Sequence, residues 1–215
     1  MDIIELIKKK YDCDSDVLAH YAIAKHELVQ QSKYFKRKKL DTLKIDYSNI
    51  KAIKKPYDVI SLVVPLFDIS TSEIKNIQYI DDDGTKMFLA GKTTNGLAYV
   101  FNGDESEVFI CEGFATAATI HAATGKTTYA AMSCINLIDV YKILKFKYKA
   151  NQIVFALDYD LMFSNSMEIK KLFCQKYNIA IAICDDEEDT TTKDFNDILI
   201  KYDLETVKRM IEERL

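Results

Sequence analysis

Apolar positions fall into three zones along the 215 residues. In residues 1 to about 45 they recur at helical spacing, first in IIELI and then in VLAHYAIAKHELV, which reads as one helix behind the capping candidate Ser15. The period changes over residues 58–102. There VISLVVPLF, NIQYI, KMFLA and LAYVF are strand-like runs separated by the turn formers DDDG and TTNG, predicting an antiparallel β region. From Glu107 onward short apolar runs alternate with helical patterns. EVFIC, TTYAAMS, QIVFAL and IAIAIC read as strands. FATAATIHAA, INLIDVYKILK, NSMEIKKLFCQKY and, behind the cap Asp203, LETVKRMIEERL read as helices. Such alternation predicts βα units, hence a mainly parallel α/β sheet with helices on both faces. The expected organisation is a helical and antiparallel β subdomain over 1–104 and an α/β domain over 105–215.

Composition changes this picture little. Hydrophobic content of 48% and charged content of 29% are ordinary globular values. No apolar run approaches the roughly 20 residues needed to span a bilayer. MDIIELIKKKYD lacks a basic-then-apolar signal pattern, so the expectation is a cytoplasmic protein without membrane association. Cys13, Cys111, Cys134, Cys174 and Cys184 are scattered without CxxC spacing, which excludes a zinc ribbon and a disulfide framework. The net charge of −4 does not by itself point to nucleic acid. Its distribution is uneven, however: KYFKRKK (33–39), KAIKK (51–55) and KILKFKYK (142–149) are basic, whereas DDD (81–83) and DDEED (185–189) are acidic. Basic stretches that carry Tyr34, Phe35, Phe146 and Tyr148 suit phosphate contact with base stacking, and equally a solvated face with anchored aromatics.

Ligands of open α/β sheets bind beyond the C-terminal ends of the strands. Gly125-Lys126-Thr127 is not a phosphate loop there, because position 120 is Ile where the motif needs Gly, and HAAT continues a helix. Gly125 reads as a left-handed helix end, with Lys126 complementing the helix dipole. The strand ends carry acids instead: Glu112 after EVFIC, Asp158 and Asp160 after QIVFAL, and Asp194 and Asp197 after IAIAIC. Clustered carboxylates repel one another, and a hard divalent cation such as Mg²⁺ relieves that repulsion while accepting water and substrate phosphate. His121, His20 and His26 read as packed, capping or surface residues.

These motifs resemble the Toprim domain of bacterial-type primases, topoisomerases and certain nucleases, with its Glu and Asp-x-Asp motifs. The closer similarity is to primase-like proteins of phages, plasmids and other mobile elements. It is carried by FICEGFATAATIHAATG, Asn136-Leu137, FALDYD and KDFNDIL, and upstream by SKYFKRKKL, VVPLFD and NIQYIDDDGTKMFLAGKTTNG. It runs from about residue 30 to 200. Two departures stand out: Tyr159 separates the paired aspartates in place of Asn, and Met167 takes a glycine position after Asn165. The resemblance implies a Rossmann-like Toprim fold and a primase core; in a further departure, the cysteine spacing offers no zinc module and no helicase motif follows, so a stand-alone core is expected. Asp158 and Asp160 would hold Mg²⁺ or Mn²⁺, Glu112 would act as base or second-metal ligand, and Asp194 and Asp197 would complete the rim. NTPs and single-stranded DNA are the implied substrates, with Lys33, Lys36, Arg37, Lys38, Lys39, Lys86 and Lys92 facing nucleic acid and a separate helicase or initiator as partner. A metal-dependent nuclease and a silent module that modulates a replication complex are the alternatives.

Overall fold

A computed structural model describes residues 15–159, 171–172, 174–175, 180–184 and 193–213. The chain divides into two compact units, one of residues 1–37 and 46–97, the other of residues 38–45 and 98–215. The division thus falls at Leu97/Ala98, ahead of the expected 104/105, and residues 38–45 go with the C-terminal unit.

The first unit contains α1 (Ser15–Ile23), a 3-10 turn (His26–Gln31), α2 (Lys33–Arg37), β1 (Lys51–Lys54), β2 (Ile60–Asp68), β3 (Ile74–Asp81) and β4 (Lys86–Phe88). The strands pair antiparallel in the order β1-β2-β3-β4. Val17 and Ala24 pack with Val63 of β2 and Ile77 of β3, so the apolar stripe of α1 covers the sheet. The single helix expected over VLAHYAIAKHELV is broken. Lys25 N–H donates to Ala52 O at 2.8 Å and Ala52 N–H to Lys25 O at 2.9 Å, a bridge that holds residue 25 extended. The same bridge belongs to β1, a strand concealed by the lysines of KAIKK although Ala52 is fully buried.

DDDG is a turn, as its composition predicts, but its middle aspartate points inward. Asp82 Oδ1 accepts from Lys33 N–H at 2.7 Å, its Oδ2 from Ile60 N–H at 3.0 Å, and its carbonyl from Arg37 Nη1 at 2.8 Å. One side chain thereby ties α2 to the start of β2.

The second unit contains β5 (Leu97–Phe101), β6 (Asp104–Cys111), α3 (Phe114–Thr124), β7 (Lys126–Ala130), α4 (Asn136–Leu144), β8 (Ile153–Leu157), β9 (Ala180–Ile183), α5 (Phe195–Lys201) and α6 (Leu204–Glu212). The described strands are ordered β5-β7-β6-β8-β9, with β5 antiparallel to β7 and the others parallel. The crossover β6-α3-β7 and the return β7-α4-β8 run in opposite directions across the sheet. Right-handed connections then place α3 and α4 on opposite faces, giving the open α/β sheet expected from the alternation. Phe114 through Ile120 are all buried, and the Ala and Thr residues among them let α3 lie close to the sheet. Lys126 opens β7 and donates to Ser106 Oγ at 2.6 Å and to Asp104 Oδ2. Its ammonium therefore serves β6, correcting the expectation that it serves the end of α3. No helix among the described residues is long and apolar enough to cross a membrane.

Asp82→Ala removes the acceptor of two N–H groups, one of them buried. It should destabilise the first unit by about 2–4 kcal/mol, and Asp82→Asn, which keeps one acceptor oxygen, by less. Urea unfolding of the two variants beside the parent measures this.

Candidate active site

Parallel pairing sets Cys111 of β6 opposite Ala156 of β8, and Ala156 opposite Ala182 of β9. Glu112 and Asp158 therefore leave neighbouring strands, about 4.8 Å apart, within a residue of each other along one edge. Gly113 follows Glu112 and caps α3. A Cβ there would stand 3.2 Å from Thr116 Oγ1, so glycine allows the chain to turn tightly from the carboxylate into the helix. At the exit of β8, Tyr159 N–H donates to Lys193 O at 2.7 Å, drawing the loop before α5 alongside Asp158. The buried thiol of Cys111 ends β6 beside this edge. Burial pushes it far above its usual range, and the charges of Asp158, Glu112 and Asp194 push it further, in that order.

Residues 107–202 match the family described as the Toprim domain. That stretch is similar to a Toprim domain. Over 102 residues the chain is 34% identical to DNA primase TraC of Escherichia coli, covering 45% of this chain and 10% of that protein. A second DNA primase TraC of Escherichia coli is 33% identical over 102 residues and is covered over 7% of its length, so the chain spans a tenth or less of these curated relatives. Among solved structures, the primase fragment of the bacteriophage T7 primase-helicase superposes with a TM-score of 0.53 at 14% identity, over 77% of this chain and 65% of that one. The DnaG primase catalytic domain bound to ssDNA gives 0.51 at 10% identity, over 99% of this chain and 74% of that one. The fold is that of primase catalytic cores, and the primase-like resemblance carried by the motifs is borne out.

Around these carboxylates, the residues of DFND have divided tasks. Asp194 caps α5, its Oδ1 accepting from Asp197 N–H at 2.9 Å. Burial raises its carboxyl above the ordinary range; the Lys38 ammonium opposes that rise and Asp197 adds to it. Asp197 accepts from Lys38 Nζ at 3.1 Å on Oδ1 and from Lys193 N–H at 3.1 Å on Oδ2. Asn196 is fully buried and donates to Lys38 O at 2.9 Å and Thr119 Oγ1 at 3.0 Å, clamping residue 38 against α3. Neither the clamp nor the ion pair follows from sequence, since the partners stand about 160 positions apart. The buried amide within DFND is the only signal that pointed toward it.

The structure sets Glu112 and Asp158 after the adjacent strands β6 and β8, draws the segment before Asp194 alongside Asp158, and pairs Asp197 with Lys38. Asp160 lies outside the described residues, as do Asn165, Met167 and the acidic run 185–189. Among the described residues no group of three His, Cys, Asp or Glu side chains is gathered closely enough to hold an ion. The donor chemistry nevertheless fits a hard divalent cation, which binds through one or two carboxylates and takes its other ligands from water and substrate phosphate. Of the basic residues expected to face nucleic acid, Lys33, Lys36, Arg37 and Lys86 are exposed. Lys38 pairs with Asp197, and Lys39, left-handed at φ 52, donates to Leu199 O at 3.4 Å and Ile200 O at 3.0 Å. Lys92 is 8% exposed, with Asp16 at 3.6 Å. His121 is packed, stacked on Phe101 with Nδ1 at 2.8 Å from Lys126 O.

Because the Asp194 carboxyl titrates above its ordinary value in the folded chain, the folded state holds that proton to higher pH than the unfolded one does. Its contribution to stability is present at low pH and is lost as pH rises through the folded value. Asn caps a helix as well as Asp does and carries no charge. In chelator-containing buffer, Asp194→Asn should therefore melt above the parent at pH 7–8, with the gap closing below the ordinary carboxylate range. Thermal melts across pH 3–8 measure it.

Proposed function

We propose that this chain is the catalytic core of a metal-dependent DNA primase. It would make short primers on single-stranded DNA in the replication of a phage, plasmid or other mobile element. The observation that carries this reading is the placement of Glu112 and Asp158 after adjacent parallel strands, in a segment that matches the Toprim domain and is similar to DNA primase TraC. Asp158, with Asp160, would hold Mg²⁺ or Mn²⁺, which neutralises charge developing on the nucleotide phosphates. Glu112, half-buried at the edge, would take the proton of the attacking 3′ hydroxyl. The oxygen then bonds to the α-phosphorus of the incoming NTP and pyrophosphate leaves. Asp194 and Asp197 shape the rim and hold Lys38 beside it. Exposed Lys33, Lys36, Arg37 and Lys86 would follow the template backbone, and unwinding would fall to a separate helicase or initiator. The setting for this chemistry is the cytoplasm.

Primer synthesis from NTPs on single-stranded DNA, with Mg²⁺ and with Mn²⁺, tests the proposal. Metal-dependent extension supports it; cleavage of the DNA without extension points to a nuclease, and inactivity with both ions points to a silent module. Two substitutions locate the chemistry. Glu112→Gln should lower turnover by roughly 10²–10⁴-fold with little change in melting temperature. Lys126→Ala should leave turnover near the parental value, because its partners are Asp104 and Ser106. An inactive Lys126→Ala beside an active Glu112→Gln would overturn the assignment.

In the same assay, Asp158→Asn should abolish extension while the chain stays folded, since it removes one of several mutually repelling carboxylates. Full activity of that variant with either ion would remove Asp158 from the metal site.

A further inference from the structure

The basic, aromatic stretch KILKFKYK lies at the opposite end of the second unit from the acidic edge. Leu144 is buried at the end of α4, and the turn that follows is fixed by Phe146 N–H to Ile143 O at 3.2 Å, Lys147 N–H to Leu144 O at 2.9 Å and Tyr148 N–H to Leu144 O at 2.8 Å. Tyr148 is buried, its hydroxyl 3.3 Å from that of Tyr129 on β7, and Lys147 reaches Glu105 of β6 at 2.7 Å. These bonds anchor the turn to the first residues of β6 and to β7. They also leave Phe146 displayed: it is 85% exposed, with the Lys145 ammonium 5.2 Å from its ring centroid.

An aromatic ring held out by this turn exposes apolar area that no described residue of its unit covers. The charges around it are Lys142, Lys145, Lys147 and Lys149 against Asp139, which pairs with Lys142, and Glu105, which pairs with Lys147. Lys145 and Lys149 are exposed and remain as surplus cations in a chain whose net charge is −4. A protein partner would need about 800 Å² of contiguous surface, far more than one ring offers. A single strand of nucleic acid needs only a π-face for a base and cations at phosphate spacing.

We infer that the turn after α4 is a second binding site for single-stranded nucleic acid, in which Phe146 stacks on a base and Lys145 and Lys149 hold flanking phosphates. It stands apart from the catalytic edge. β6 runs from Asp104 beside this turn to Cys111 beside Glu112, roughly 20 Å of strand. A strand held at Phe146 is thus held away from the reacting atoms, and binding there is independent of the chemistry at Glu112.

The test uses the full chain carrying Glu112→Gln, so that loss of chemistry and loss of this site are read separately. Binding of a fluorescein-labelled oligothymidylate is followed by anisotropy over a salt series. Phe146→Ala should weaken binding about five-fold or more, whereas Phe146→Trp should retain it. Lys145→Glu with Lys149→Glu should flatten the salt dependence by about 0.7 in log–log slope for each phosphate no longer held. An oligonucleotide bearing 5-iodouracil should photo-cross-link within residues 142–149. Parental affinity in Phe146→Ala, which would leave the turn as a protein-docking face, overturns the inference, and so does cross-linking confined to other segments.

Discussion

Parallel strands finish together at one edge, so carboxylates placed after them share a rim and repel. In this chain Glu112 follows β6, Asp158 follows β8, and Asp194 is brought to the same place by the bond from Tyr159 N–H to Lys193 O at 2.7 Å. Concentrating negative charge where the sheet already excludes water raises the energy of the unliganded protein. The surroundings offset part of that cost. Asp194 turns its oxygen to the N-terminus of α5, where the helix dipole and a free N–H favour an acceptor. Asp197, one turn on, is matched by Lys38 and by Lys193 N–H. What remains is an acidic edge whose charge a hard divalent cation would neutralise.

The counter-charge comes from far away in sequence. Residues 38–45 belong to the C-terminal unit, inserted between segments of the first. A partly exposed ion pair such as Lys38–Asp197 contributes under about 1 kcal/mol, too little to hold a segment in place. Burial does more: Leu40 is fully buried and Leu43 nearly so, each contributing about 1.5–3 kcal/mol. Asn196 then fixes the height of the segment by bonding to Lys38 O and Thr119 Oγ1, and Lys39 caps the last carbonyls of α5. Lys39 adopts φ 52 to do so, a left-handed conformation that a non-glycine residue accepts only when its surroundings fix it. The lysine pair of KYFKRKK therefore builds the acidic neighbourhood, and Lys33 and Lys36 keep the exposed positions.

Strands and helices of the C-terminal unit were legible in sequence because each is a local pattern: short apolar runs for β6, β8 and β9, and small or amphipathic stretches for α3, α4 and α6. The carboxylates were legible because strand ends are where such sheets bind ligands. β1 was not, since two of the four residues in KAIK are lysines and the burial of Ala52 depends on β2 and on the bridge to Lys25. For the same reason the pattern predicts one helix where α1 stops at Ile23: a helical period continues through Lys25, and only a tertiary bridge interrupts it. The ion pair of Lys38 with Asp197 lay beyond any local reading, because sequence spacing carries no information on which distant segment fills a gap.

Gly125-Lys126-Thr127 shows how a short motif is decided by what its groups are already bonded to. A phosphate loop presents backbone N–H groups, a lysine and a hydroxyl to its ligand. Here Gly125 N–H closes α3 onto His121 O at 2.8 Å, in the left-handed conformation that ends a helix. Gly103 lies so close to Gly125 O that a Cβ on it would collide, and Thr127 Oγ1 bonds to both Gly103 N–H at 2.9 Å and Gly103 O at 3.0 Å. Lys126 holds Asp104, and with the N–H and hydroxyl of Ser106 lowers that carboxyl to about 2. The donors a triphosphate would need are spent on joining β6 to β7.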